Sequence, residues 1–251
     1  MVLPAGKTEV TADLDKAFWC IYGPPGVGKS TIASEFPDPI FATTEQAHRH
    51  LRIFNRVIKD WNDFKAFVVE MQTRDGARFR SICVDTVDLL YKMCLEQVCI
   101  EEGMDHPSDE GYGKGFDMVN TAFQREVVKM TLLGKGLFFI SHAKQTEITS
   151  RSMKYTKTVP SMSGGCHKIV LPLVDFEMHV GFASQDVNLR AAIFEPRESL
   201  EAKDRFGVFP KEVILPKHGS YEALKKAWGR QGSAPAQQAP SAGAVRKVIK
   251  K

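Results

Sequence analysis

Gly23-Pro-Pro-Gly-Val-Gly-Lys-Ser30 fits the phosphate-loop pattern G-x-x-x-x-G-K-[ST], and its flanks are those the pattern requires. The apolar run Ala17-Phe-Trp-Cys-Ile-Tyr22 before it reads as a buried strand. Lys29-Ser-Thr-Ile-Ala-Ser-Glu-Phe36 after it reads as a short helix that stops before Pro37. Glycines let the backbone curl until successive N–H groups converge on one phosphate chain, and the helix N-terminus adds its positive dipole. In such a loop the Lys29 ammonium reaches the β- and γ-phosphates, and the Ser30 hydroxyl ligates Mg²⁺. Gly23, Pro24, Pro25, Gly26, Val27, Gly28, Lys29, Ser30 and Thr31 are the expected contacts of a nucleoside triphosphate, with ATP and Mg²⁺ the expected ligands.

Outward from the loop, apolar runs alternate with helix-like segments, which predicts an α/β fold: a mainly parallel central sheet flanked by helices. Pro39-Ile-Phe-Ala42 is a short strand running into Thr43-Thr44-Glu45. Asp60 is placed to cap a helix with Phe64, Phe67, Val68 and Met71 on one face. Arg80-Ser-Ile-Cys-Val-Asp85 is a buried strand ending in a carboxylate, and a helix follows from Thr86 towards Val98. Phe116, Val119, Phe123, Val127 and Met130 mark another helix, and Leu137-Phe-Phe-Ile-Ser141 another buried strand. From Asp175 the pattern turns strand-rich, at 176–182, 189–194 and 212–215, before a closing helix over 221–228. The organisation predicted is an extension over 1–14, an ATPase domain over 15–229 and a flexible basic tail over 230–251.

The tail holds Arg230, Arg246, Lys247, Lys250 and Lys251 without an acid, so the net charge of +4 belongs to it and residues 1–229 sum to −1. A generally basic nucleic-acid binder is thereby excluded for the folded part. Positive charge is instead local: Lys144, Arg151, Lys154, Lys157 and Lys168 stand against Glu147 alone. Tyr155 among them could stack on a base while the cations track phosphates. The same charges would equally suit a solvated β-hairpin. The five cysteines form no C-x-x-C pair, which points to buried reduced thiols in a cytoplasm. No stretch reaches the roughly eighteen apolar residues of a membrane span.

A phosphate loop works with a second, metal-side carboxylate, and Asp85 at its strand end is the candidate. Hydrolysis also calls for a group that positions the attacking water. Thr86 follows Asp85 where many related ATPases carry glutamate, so that carboxylate comes from elsewhere. Glu45 is the first candidate and Asp88 the second. Glu45 would otherwise only begin a surface helix containing His48 and Arg49.

With these parts in order the chain resembles the RecA-like ATPases, and within them the small phage-encoded ATP-binding proteins that include Sak-type single-strand annealing ATPases. The resemblance covers about residues 15–228. It is carried by the phosphate loop, Thr43-Thr44-Glu45, Ser81-Ile-Cys-Val-Asp85-Thr86, Gly111-Tyr-Gly-Lys-Gly115, Phe139-Ile-Ser-His142, Thr156-Lys-Thr-Val-Pro160, Gly164-Gly165 and Lys203-Asp-Arg205. It implies that His142 senses the γ-phosphate, that the basic loop after it contacts single-stranded DNA, and that Lys203 and Arg205 reach the ATP of a neighbouring subunit. It also implies a homo-oligomer, ring or filament, in phage recombination or replication; beside the resemblance, the tail leaves room for a single-strand-binding protein as partner, and the lack of an apolar span leaves no membrane partner expected. The chain departs from the recombinases in lacking an N-terminal oligomerisation domain and in having few aromatics in the basic loop, so annealing fits better than strand exchange. Three rival readings stand beside this one: a small-molecule P-loop kinase, a helicase-loader-type ATPase acting through protein contacts, and a nucleotide-dependent scaffold that does not hydrolyse.

Overall fold

The computed structural model describes residues 13–45, 49, 51–149, 154–183 and 189–229. The phosphate-loop strand β1 (Phe18–Gly23) and helix α1 (Lys29–Ser34) are followed by β2 (Pro39–Thr43), β3 (Phe54–Val57) and α2 (Trp61–Glu70). Then come β4 (Ser81–Asp85), α3 (Val87–Glu102), α4 (Lys114–Thr131), β5 (Gly136–Thr149), β6 (Lys154–Pro160) and α5 (Gly164–Leu173). The chain closes through β7 (Phe176–Phe182), β8 (Leu189–Ile193), the two-residue β9 (Lys203–Asp204), β10 (Glu212–Pro216) and α6 (Ser220–Gly229).

The sheet order is β10-β8-β7-β1-β5-β4-β2-β3, with β6 added to β5 and β9 to β7. Pairing from β7 through β3 is parallel, while β8 and β10 add antiparallel beyond β7. The expected α/β fold with a strand-rich C-terminal part is therefore present. One strand, β5, separates the phosphate-loop strand from the Asp85 strand.

Strand parity sorts the core into two layers. Cys20, Ile82, Val84, Leu137 and Phe139 face the helices α2–α5, packing with Phe64, Phe67, Leu90, Val119, Phe123 and Val127. Trp19, Ile21, Cys83, Phe138 and Ile140 face the other way, onto Ile32, Phe36, Phe176, Phe194, Phe209 and Leu224. Burial on both faces explains why these strands read as unbroken apolar runs. The second layer centres on Trp19, whose ring lies 4.5 Å from Phe176, with Phe194 stacked on Phe209 at 4.2 Å. Asp60 caps α2 as its position predicts, accepting from Asp63 N at 2.8 Å.

Three features differ from the sequence-based expectation. The edge strand β3 was not foreseen; its pattern is largely exposed, so it lacks the apolar run that marks its neighbours. Helix α5 was not foreseen either; it begins with two glycines and contains Pro172, both poor helix signals. Ser163 nonetheless caps it, accepting from Cys166 N. Finally, the strand expected to end at Ser141 continues to Thr149, because β6 pairs with its outer half in an antiparallel hairpin.

Candidate nucleotide site

The phosphate loop leaves β1 at Gly23, where a Cβ would collide with the Val180 carbonyl of β7. Gly26 and Gly28 take φ of 75° and 93°, the left-handed region that glycine enters without strain. Lys29 is buried, and its Nζ folds back to donate to Gly23 O at 3.0 Å and Pro24 O at 3.1 Å. Burial lowers its pKa, while Asp85, Asp88 and Glu45 oppose that shift. An ammonium held by weak carbonyl partners beside an anion site is ready to exchange them for phosphate oxygens.

Ser30 Oγ donates to Asp85 Oδ2 at 2.5 Å. A hydroxyl and a carboxylate meeting beside the phosphate loop form the hard oxygen pair that suits Mg²⁺, which takes few protein ligands and completes its shell with phosphate and water. Thr44 and Thr86 lock the ends of β2 and β4 together: Thr86 N donates to Thr44 Oγ1 at 3.0 Å and Thr44 N to Asp85 O at 2.9 Å. That lock carries Glu45 into the cleft. His142 Nε2 lies 3.9 Å from Glu45 Oε1.

One cleft of about 440 Å³ is lined by the loop residues Pro25, Gly26, Gly28, Lys29, Ser30 and Thr31 and by Glu45, Asp85, Thr86 and His142. Residues from β1, β2, β4 and β5 thus meet at the carboxyl edge of the parallel sheet, where ligands bind in open α/β folds. Asp88 is employed elsewhere. Its Oδ1 accepts from Ser141 Oγ at 2.8 Å and its Oδ2 from His142 N at 3.2 Å, so it fixes the strand that carries His142. Sequence reasoning missed two further lining residues, Arg190 and Lys217, so Lys29 is not the cleft's only cation. Both lie more than 150 residues from the loop and carry no motif.

The AAA domain family matches residues 15–206. The chain belongs to that family. No curated protein matches the sequence. Among solved structures, the crystal structure of the RadB recombinase is similar over 82% of this chain and 89% of that one, at 12% identity and a TM-score of 0.49. The family places the chain among nucleotide-binding P-loop ATPases, in agreement with the cleft. No described helix is long and apolar enough to cross a membrane.

The basic residues of this AAA domain are divided rather than clustered. Residues opposite each other on the β5–β6 hairpin share a face, and successive residues change face. Lys144, Tyr155 and Lys157 therefore occupy one face and Lys154 the other, beside Glu147. Lys144 Nζ donates to Met162 O at 2.9 Å at the hairpin base. Lys157 and Lys168 line a second cleft, of about 480 Å³, together with His167, Glu177, Glu201 and Lys203. Arg151 and the tail beyond Gly229 lie outside the described residues.

Lys203 and Arg205 are not in the nucleotide cleft. Lys203 Nζ donates to Leu171 O at 2.8 Å and Val174 O at 2.7 Å. Arg205 Nη1 bonds Asp175 Oδ1 at 3.1 Å and its Nη2 donates to Pro172 O. Both cations close the C-terminal end of α5, where carbonyls lack helical partners.

Proposed function

We propose that this AAA domain hydrolyses ATP with Mg²⁺ and that single-stranded DNA is its effector. The carrying observation is the course of β5. One strand holds His142 beside Glu45 in the nucleotide cleft and continues into the hairpin that presents Lys144, Tyr155 and Lys157. A shift at His142 is thereby transmitted through hydrogen-bonded strand to the basic face.

In this reading the loop N–H groups and Lys29 hold the triphosphate, and Ser30 and Asp85 hold Mg²⁺, which supplies charge neutralisation on the phosphates when bound. Glu45 accepts a proton from the attacking water, and His142 hydrogen-bonds the γ-phosphate end. Asp88 is disfavoured for the water because both its oxygens already accept hydrogen bonds. Lys144, Arg151, Lys154, Tyr155, Lys157 and Lys168 are the proposed DNA contacts, with phosphates on the cations and a base on the Tyr155 ring. Strand order, with β5 between β1 and β4, supports the RecA-like reading of the fold.

The resemblance to phage-encoded Sak-type ATPases extends the proposal to single-strand annealing in phage recombination, or replication, by a homo-oligomer. There Lys203 and Arg205 would leave α5 to reach a neighbour's ATP. The test is ATP turnover with and without single-stranded DNA at two salt concentrations. Stimulation that weakens with salt is expected; turnover indifferent to DNA at both salts would refute the DNA assignment. No turnover at all would refute the ATPase.

A further inference from the structure

Arg190 is buried, with 6% of its surface exposed, and stands on β8 beyond the far side of β1 from Asp85. Its guanidinium gathers carbonyls from two distant segments. Nε donates to Val27 O in the phosphate loop, and Nη1 donates to Pro216 O at 3.3 Å and Lys217 O at 3.2 Å. Its plane lies against the backbone of Gly28, where a built Cβ would come within 2.5 Å of Nη2. Gly28 is thus required twice, by its backbone angle and by the arginine laid over it.

The bond to Val27 has a directional consequence. A trans peptide is planar, and its C=O and N–H point in opposite directions. Holding Val27 C=O outward on Arg190 therefore turns the Gly28 N–H away from Arg190, to the inner side of the loop. That N–H belongs to the set that meets phosphate in such loops. The same segment is pinned again at the other end of α1: Glu35 Oε1 accepts from Gly219 N and Oε2 from Tyr221 N, both at 3.0 Å.

We infer that Arg190 is a positioning residue for the phosphate loop. It fixes the Val27–Gly28 peptide in the anion-accepting orientation and ties it to the Pro216–Tyr221 segment, whose Lys217 walls the cleft opposite Asp85. The inference rests on the nucleotide-binding reading of the cleft. Lysine cannot substitute, because one ammonium does not span three carbonyls held by a planar fork.

The test compares wild type with Arg190→Met and Arg190→Lys by two measurements. Amide hydrogen exchange on nucleotide-free protein reads the brace: Gly219 and Tyr221, whose N–H groups Glu35 accepts in the segment Arg190 holds, should exchange faster in both variants. Titration with a fluorescent ATP analogue, and with the ADP analogue, reads its consequence. Loss of a hydrogen-bonded charge should weaken both nucleotides about tenfold or more, with Arg190→Lys recovering only a minor part. Wild-type affinity in either variant, with or without faster exchange, would overturn the inference. If Arg190→Met does not fold, Arg190→Lys alone decides it. A wild-type protein that binds no ATP would refute the nucleotide reading, while unchanged exchange at Gly219 and Tyr221 would refute the brace.

Discussion

Glu177 offers a prediction whose size follows from its surroundings. It is 3% exposed on β7, and its Oε1 has no hydrogen-bond partner among the described residues. Burial, and then the nearby Glu201 carboxylate, raise its pKa from 4.5 to about 8, against the opposing pull of Lys157 and Lys203. An acid with a raised folded-state pKa binds its proton more tightly when folded. Its contribution is fully present below about pH 4.5 and is lost as pH rises through about 8. Each pKa unit is worth about 1.4 kcal/mol, so the loss is roughly 3 kcal/mol by pH 7 and roughly 5 kcal/mol by pH 9. Glu177→Gln keeps the shape and the neutral form but cannot ionise. Urea unfolding of both proteins at pH 5, 7 and 9 isolates the effect, because other titrating groups cancel in the difference. The two should be nearly equal at pH 5, with the variant more stable by several kcal/mol at pH 9. A difference that does not change with pH would show that Glu177 ionises freely, and the burial argument would be wrong.

Lys29→Ala should abolish tight ATP binding, measured by calorimetry, because the cation nearest the loop's phosphate position is removed. Glu45→Gln should bind ATP normally and lose hydrolysis, whereas Asp88→Asn should mainly lower the melting temperature, since its two acceptors anchor β5. A hydrolysing Glu45→Gln alongside a folded, inactive Asp88→Asn would exchange those roles. Changing Lys144 and Lys157, the two cations of the hairpin's basic face, together to Ala should flatten the slope of log DNA affinity against log salt by about 1.4, at about 0.7 per lost single-strand phosphate contact. An unchanged slope would move the DNA site off the hairpin. Asp60→Ala should cost about 1 kcal/mol of stability by removing the α2 cap, read from urea unfolding; no loss would show that the Asp63 N–H finds water equally well.

The sequence alone determined the phosphate loop, the two-sided burial of β1, β4 and β5, the Asp60 cap and the candidacy of Asp85 and Glu45. Each of these is written in local residue types. A loop of glycines ending in Lys-Ser has few other uses, and a strand buried on both faces must be continuously apolar. What remained hidden lacked a local pattern. Exposed β3 alternates too weakly, and α5 forms against its own composition because Ser163 caps it and the sheet covers Cys166, Val170 and Leu171. The hairpin's register was equally illegible, although it alone sets Lys154 on the face opposite Lys157. Charge counting had placed those lysines together, since a count carries no orientation. Tertiary structure also decided what the cations do. Lys203 and Arg205 close a helix end, while Arg190, which no motif announces, reaches the phosphate loop because β8 joins the sheet two strands from β1. Hydrogen bonds between residues more than 150 positions apart depend on strand order, and strand order is settled only when the whole sheet has assembled.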